Sequence, residues 1–370
     1  MIQELPAEVL MPAKTIFKKG AAMRLGEEAL EFGNTGIVVY GGSLEKNGKL
    51  SKLVAGFPEQ ARVEWFRRQG GEPTLGEVEE LIALAKRTKA LWISGVGGGS
   101  VLDAAKAAAG LCNAKEKPVY YQEGGALIEA GIPFIAVPTT AGSGSEVTPN
   151  AVITNSAKKA KLSIRDKSFL AKKVILDSEL LKDIPPRVIA ESGMDALVQA
   201  YEAYISKNAT RMMETIALRA VILLNQNIIS AYKTPTDDNL SSMLAGSYYA
   251  GMALAHSRLG VIHGIAHPLG ALYGIRHGVI CAASLPASIK LNKAAMGTKY
   301  RTLSNSVGMD FLERSEALLK ILSISSPFRG RDIMNKEQII EETLKSGSTA
   351  SNPKEITVAD VEFMLNELFR

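Results

Sequence analysis

The chain has 370 residues, 46% of them hydrophobic and 22% charged, with a formal net charge of +5 and only two cysteines, Cys112 and Cys281. That is enough chain for two ordinary domains with sizeable cores, and it excludes a disulfide framework and favours a reducing compartment. The basic residues are dispersed, and the densest cluster, KKAK at 158–161, lacks interleaved aromatics, so the charge suits anionic small molecules better than nucleic acid. The opening stretch MIQELPAEVLMPAKTIFKKG has no basic start, apolar run and small-residue cleavage site in succession. No segment approaches the ~18 consecutive apolar residues of a membrane span, and the expectation is a cytoplasmic protein without a membrane partner.

In chain order, GIVVYG (36–41), LWISGV (91–96) and PFIAVP (133–138) read as buried strands, while LGEVEELIALAKRT (75–88) and VLDAAKAAAGLC (101–112) carry helical spacing. This alternation predicts a parallel sheet flanked by helices. After VILDSELL (174–181) the strand signals stop, and IPP at 184–186 introduces helical stretches at 211–232, 239–257 and 357–369. The expected division is therefore an α/β domain over 1–183 and an all-helical domain over 184–370.

Two stretches of the first half suit a dinucleotide. In GVGGGSVLDAAKAAAG (95–110) a strand ends, Gly97, Gly98 and Gly99 let backbone approach a ligand, and a helix begins after Ser100 with its amides and dipole free for a pyrophosphate. The spacing differs from G-x-G-x-x-G, and a tight turn alone would also explain it. PTTAGSGSEVTPN (138–150) follows another buried strand and adds hydroxyls and amides in one loop. In the second half all four histidines, His256, His263, His267 and His277, fall within 22 residues, which points to metal or proton chemistry. His263 and His267 are four apart on a helical pattern, and upstream Asp195 and Gln199 share the same spacing, so these side chains are candidates for one centre.

Together these segments resemble the iron-dependent (group III) alcohol dehydrogenases, relatives of the glycerol dehydrogenases and dehydroquinate synthases. The motifs GVGGGSVLDAAK, PTTAGSGSEVTPNAVIT, GMDALVQAYEAY and HGIAHPLGALYGIRHG occur in the family's order along almost the whole chain. The resemblance implies a dehydroquinate synthase-like fold, with an α/β dinucleotide-binding domain of parallel sheet, an all-α domain, and the active site in the cleft between them. It implies one divalent ion, Fe²⁺ or Zn²⁺, held at Asp195, Gln199, His263 and His277. Gln199 stands where the family has a third histidine, and its amide oxygen is a weaker donor than imidazole. His267 is implied as a proton relay near nicotinamide and substrate, and His256 as a packing or pocket residue. Asp103 is implied to lie close to the cofactor, Thr139 and Thr140 at its adenine and ribose side, Ser143 and Ser145 along it, and Lys161 and Leu180 at the end of the groove.

The implied reaction passes hydride between nicotinamide and a small primary alcohol or aldehyde, with the ion easing deprotonation of the alcohol and polarising the carbonyl. The alternatives are a dehydroquinate synthase-like lyase or cyclase and a non-catalytic member with a decayed metal site. An anionic substrate is a further option, through Arg258 or Arg276 beside the histidines. Where NAD-preferring folds place an acid after the second strand, this chain has Gly41, Gly42 and Ser43, so NADP(H) is expected to be preferred and NAD(H) tolerated. Ser43 or Lys46 would donate to a 2′-phosphate, unless Glu45 turns back toward the ribose. The family commonly pairs an N-terminal strand across a dimer, and a homodimer or higher homo-oligomer is expected.

Overall fold

The computed structural model describes residues 3–370 apart from 159, so Met1, Ile2 and Lys159 of the KKAK cluster lie outside the described residues. Two compact units are present, Leu10–Ile184 and a second formed by Pro185–Arg370 with residues 3–9. The first holds eight strands: β1 (Lys14–Phe17), β2 (Thr35–Gly41), β3 (Arg62–Arg68), β4 (Trp92–Gly97), β5 (Phe134–Pro138), β6 (Asn150–Asn155), β7 (Ala160–Arg165) and β8 (Lys173–Leu176). Six form a parallel sheet in the order β1-β8-β5-β4-β2-β3, and β6 and β7 form a separate antiparallel ribbon.

The sheet centre follows from composition. β2, β4 and β5 are nearly continuous apolar runs, as strands covered on both faces must be. The edge strand β3, RVEWFRR, alternates charged and apolar residues, and its charges discourage further pairing. Chain direction across the sheet reverses between β2 and β4. Such a reversal, at the carboxyl ends of parallel strands, is where open α/β sheets bind ligands, and here those ends are Gly41 and Gly97. The N-terminal stretch forms only the short strand KTIF, which lies parallel to β8 at the other edge. Upstream, the Gln3 and Glu4 carbonyls accept from the amides of Arg211 and Met212 at a helix start.

The second unit is helical, as its patterning predicts. The principal helices are Pro186–Ile205, Arg211–Lys233, Asp237–Ser257, Val261–Tyr273, His277–Met296 and Val358–Phe369. Threonine caps start three of them: Thr210, Thr236 in a capping box with Asn239, and Thr357 in another with Asp360. Arg211–Lys233 is by length and composition able to cross a membrane, which the reading of consecutive apolar residues had not anticipated. Here it packs as a core helix, burying Met213, Ala217, Val221, Leu224 and Ile228 along one stripe.

One buried cation organises the first unit. Lys106, fully buried in the helix Gly99–Gly110, donates to the carbonyls of Ser145 (2.5 Å), Thr148 (3.0 Å) and Asn150 (2.8 Å) and to the Ser145 hydroxyl (2.9 Å). It thereby ties the loop after β5 to the glycine-rich helix, and burial lowers its pKa to about 8. Glu146 in the same loop is buried, its Oε1 has no hydrogen-bond partner among the described residues, and burial pushes its carboxyl from 4.5 up to about 7. Between those pH values the folded chain binds more protons than the unfolded one, so this group's stabilisation is complete below pH 4.5 and is lost as pH rises through 7. Glu146→Gln should remove roughly 3 kcal/mol of that pH-dependent loss. Denaturant unfolding at pH 5 and pH 8 should show the variant gaining on the wild type only at the higher pH.

Candidate metal centre and dinucleotide loops

Three helices bring the candidate ligands together within the helical unit. On Pro186–Ile205, Asp195, Gln199 and Glu202 follow i, i+4, i+7 spacing and share one face. Glu202 receives the Ile262 amide at Oε1 (2.7 Å) and His263 Nδ1 at Oε2 (2.6 Å). One carboxylate thus meets the start of the helix Val261–Tyr273 and holds the His263 ring at Nδ1, which turns Nε2 toward Asp195 and Cys281. The third helix begins at His277 and carries Cys281 one turn later. It approaches the Asp195 helix so closely that a Cβ on Gly278 would lie 2.6 Å from the Glu191 carbonyl oxygen, and only glycine permits this contact.

Asp195, His263, His277 and Cys281 each offer a ligand atom, all within 4.8 Å of one another. Asp195 Oδ1 lies 3.7 Å from Nε2 of both His263 and His277, and Cys281 Sγ lies 3.9 and 3.4 Å from the same two nitrogens. Donors at ordinary zinc distances around a tetrahedral ion are separated by about 3.3–3.8 Å, so this quartet needs little adjustment to hold one. Gln199 is turned differently: its Nε2 donates to Asp195 Oδ2 at 3.0 Å. Asp195 Oδ1 and Gln199 Oε1 are buried without a hydrogen-bond partner among the described residues. An orphaned carboxylate oxygen aimed at two imidazole nitrogens fits a cation. Burial by itself raises the Asp195 carboxyl, but the His263 and His277 imidazoles outweigh it and hold the group below the usual carboxylate range. Burial likewise opposes a charged His263, yet the Cys281 sulfur, Asp195 and Glu202 raise its pKa well above the usual imidazole value.

His267 stands outside the quartet. It is exposed, and its ring stacks on His277 with centroids 5.6 Å apart. His256 donates from Nδ1 to the Met252 carbonyl in the last turn of its helix. Arg276 forms a bidentate pair with Glu191 (2.7 and 2.6 Å), while exposed Arg258 ends the helix before Gly260 with φ 63°.

In the α/β unit the two loops named by sequence lie side by side. Thr139 N donates to the Gly97 carbonyl at 2.9 Å. A Cβ on Gly99 would lie 2.6 Å from Ser143 Oγ, and one on Gly98 would lie 3.4 Å from Thr140 Oγ1. The helix Gly99–Gly110 starts without a side-chain cap, which leaves its first amides available beside the half-exposed Gly98, Gly99 and Ser100. Asp103 is engaged internally, accepting from Ser145 Oγ (2.5 Å) and Val152 N (3.1 Å). Lys161 pairs with Glu72 at 2.7 Å, and Leu180 is buried with its carbonyl accepting from Lys49. After β2, a Cβ on Gly41 would touch Val101 at 3.5 Å, and one on Gly42 would lie 3.1 Å from Nη2 of Arg67 on β3. Glu45 is held by Arg67 Nε (2.7 Å) and the Tyr40 hydroxyl (2.9 Å).

Residues 12–178 match the family described as iron-containing alcohol dehydrogenase, and residues 189–369 match the Fe-containing alcohol dehydrogenase family, C-terminal. Lactaldehyde reductase of Escherichia coli (strain K12) is 30% identical over 364 residues, covering 93% of this chain and 95% of its own. The chain belongs to the iron-containing alcohol dehydrogenase family. The 1,3-propanediol dehydrogenase of Klebsiella pneumoniae is 31% identical, with 98% of each chain covered. The crystal structure of sulfoacetaldehyde reductase from Bifidobacterium kashiwanohense in complex with NAD+ superposes with a TM-score of 0.92 at 26% identity, covering 100% of this chain and 99% of that one. Other relatives depend on NAD or on NADPH. This iron-containing alcohol dehydrogenase is therefore an NAD(P)-dependent oxidoreductase of alcohols and aldehydes, and the cyclase and non-catalytic readings give way.

Cys281, Glu202 and Arg67 were not singled out as site residues in the sequence. Cys281 had a usable signal, its i+4 spacing from His277, which counting cysteines for disulfides overlooks. Glu202 likewise sits at i+7 from Asp195. Arg67 lies on a strand whose pairing with β2 only the sheet defines.

Proposed function

We propose that this dehydrogenase interconverts small aldehydes and primary alcohols with NADP(H) in preference to NAD(H), at one divalent ion held by Asp195, His263 and His277. The observation that carries the metal assignment is the convergence of Asp195 Oδ1 with the two Nε2 atoms, in a buried setting where that oxygen has no hydrogen bond among the described residues. When bound, the ion supplies Lewis-acid polarisation of the substrate oxygen. Glu202 orients His263, and Gln199 holds the far oxygen of Asp195 so that the near one faces the imidazoles. His267, exposed and stacked on His277, moves a proton between substrate oxygen and solvent.

The division expected at 183/184 makes the α/β unit the cofactor-binding part and the helical unit, which also takes in residues 3–9, the metal-binding part. The amides of Gly97, Gly98, Gly99 and Ser100 and the helix dipole hold the pyrophosphate. Thr139, Thr140, Ser143 and Ser145 flank the dinucleotide, with Asp103 bracing Ser145 and with Lys161 and Leu180 at the far end. Preference for NADP(H) rests on the absence of an acid at Gly41, Gly42 and Ser43 together with Arg67, whose guanidinium lies against Gly42 as a donor for a 2′-phosphate. Glu45 is already committed to Arg67 and Tyr40 and does not reach back to a ribose. Arg276 is closed on Glu191, so an acidic group on the substrate would have to displace that carboxylate. Two unpaired, buried cysteines suit a cytoplasmic location. A homodimer through the β1 edge is supported by Phe17, an apolar side chain of that edge strand that is 52% exposed.

Stripping the metal should lower turnover of short neutral and acidic aldehydes about a hundredfold or more, with recovery on adding Zn²⁺ or Fe²⁺. Equal rates in the stripped and loaded enzyme would overturn the metal assignment. Arg67→Ala should cut kcat/KM for NADPH roughly tenfold to a hundredfold while changing that for NADH less than about threefold. A wild-type enzyme that favours NADH tenfold would sink the NADP(H) assignment. Light scattering at micromolar concentration should give at least twice the chain mass, and a monomer would remove the edge-to-edge pairing.

A further inference from the structure

The metal-binding residues expected by resemblance end in a weak donor, Gln199, and the geometry points to a replacement. We propose that the Cys281 thiolate, and not the Gln199 amide, is the fourth ligand, giving a mixed Asp-His-His-Cys centre that takes Zn²⁺ in preference to Fe²⁺. This rests on the metal-dependent reading above.

Three observations carry it. Cys281 is fully buried, and its sulfur stands 3.4 Å from His277 Nε2 and 3.9 Å from His263 Nε2, separations suited to donors sharing one ion. Gln199 meets the centre through its amide nitrogen, which donates to Asp195 Oδ2, whereas Cys281 places its sulfur directly among the donor atoms. The unpartnered Oδ1 of Asp195, a residue more than nine-tenths buried, belongs to the same quartet as the sulfur. The helical frame gives both changes a common logic. Gln199 sits one turn after Asp195, and Cys281 one turn after His277, on the helices that Gly278 brings into close approach.

The donor chemistry argues the same way. A dication held by one carboxylate and two neutral imidazoles retains a net positive charge in a dry pocket, whereas a second anionic ligand neutralises it. Thiolate is a soft donor and favours zinc over the harder ferrous ion. Zinc also tolerates expansion beyond four-coordination, so four protein donors leave it competent for catalysis.

The test is cobalt substitution of the full-length enzyme, read by absorption. Co²⁺ bound to the wild type should give an intense near-ultraviolet sulfur-to-cobalt charge-transfer band. That band should vanish in Cys281→Ser and persist in Gln199→Ala. Zn²⁺ affinity should fall roughly a hundredfold in Cys281→Ser and less than about tenfold in Gln199→Ala, and the zinc-to-iron affinity ratio should drop at least about tenfold in Cys281→Ser alone. If wild-type enzyme binds Co²⁺ without the charge-transfer band, the cysteine assignment falls while the metal-dependent reading stands. If it binds neither Co²⁺ nor Zn²⁺, both fall. The wild-type spectrum decides the matter even where a substituted chain does not fold.

Discussion

The helical unit is arranged around one electrostatic constraint, a buried carboxylate that faces two imidazoles and a sulfur and whose inner oxygen has no hydrogen bond among the described residues. A charge in such a place costs several kcal/mol unless something compensates it, so the surrounding parts must be positioned accurately. Glycine at 278 sets the distance between two helices, and Glu202 sets the orientation of the third through one ring nitrogen and one backbone amide. Gln199 orients the carboxylate from the other side. None of these three is inside the quartet, yet each decides where a quartet atom lies.

The α/β unit solves a different problem with a similar device. Its glycine-rich turn leaves the first amides of the helix Gly99–Gly110 without a side-chain cap, and the lack of side chains deprives the turn of bracing. Bracing comes from below, where Lys106 gathers three carbonyls of the neighbouring loop and Asp103 ties the Ser145 hydroxyl to the Val152 amide. A buried lysine with a depressed pKa and a buried glutamate with a raised one are the electrostatic cost of that bracing. Family membership establishes the nicotinamide chemistry, and these contacts explain how small residues can line the two loops without collapse.

Much of this was legible from local spacing. The strands β2, β4 and β5 show themselves as short apolar runs, the helix Leu75–Thr88 as a periodic stretch, and the passage from mixed to helical structure as the prolines near 185. These signals depend on neighbours within one or two turns, which a sequence displays directly. Less visible were β3, which reads as charged, and the β6–β7 ribbon, whose pairing is a relation between segments. The helix Arg211–Lys233 was recognised as a helix, but only its packing distinguishes a bundle core from a membrane span of equal length.

At the site the same division holds. The sequence by itself determined which candidate residues share a helix face, because Asp195 and Gln199, His263 and His267 are one turn apart and a helix places such pairs on one face. It also determined that Gly41 leaves no acid at the end of β2. Only the tertiary structure decided which atoms meet. It set Cys281 beside His277 and His263, turned the Gln199 amide nitrogen onto the outer oxygen of Asp195, and placed Arg67 over Gly42. Those outcomes depend on the angle and separation of elements far apart in the chain, set by close packing of side chains and the helix approach that a missing Cβ allows, and no local pattern encodes them.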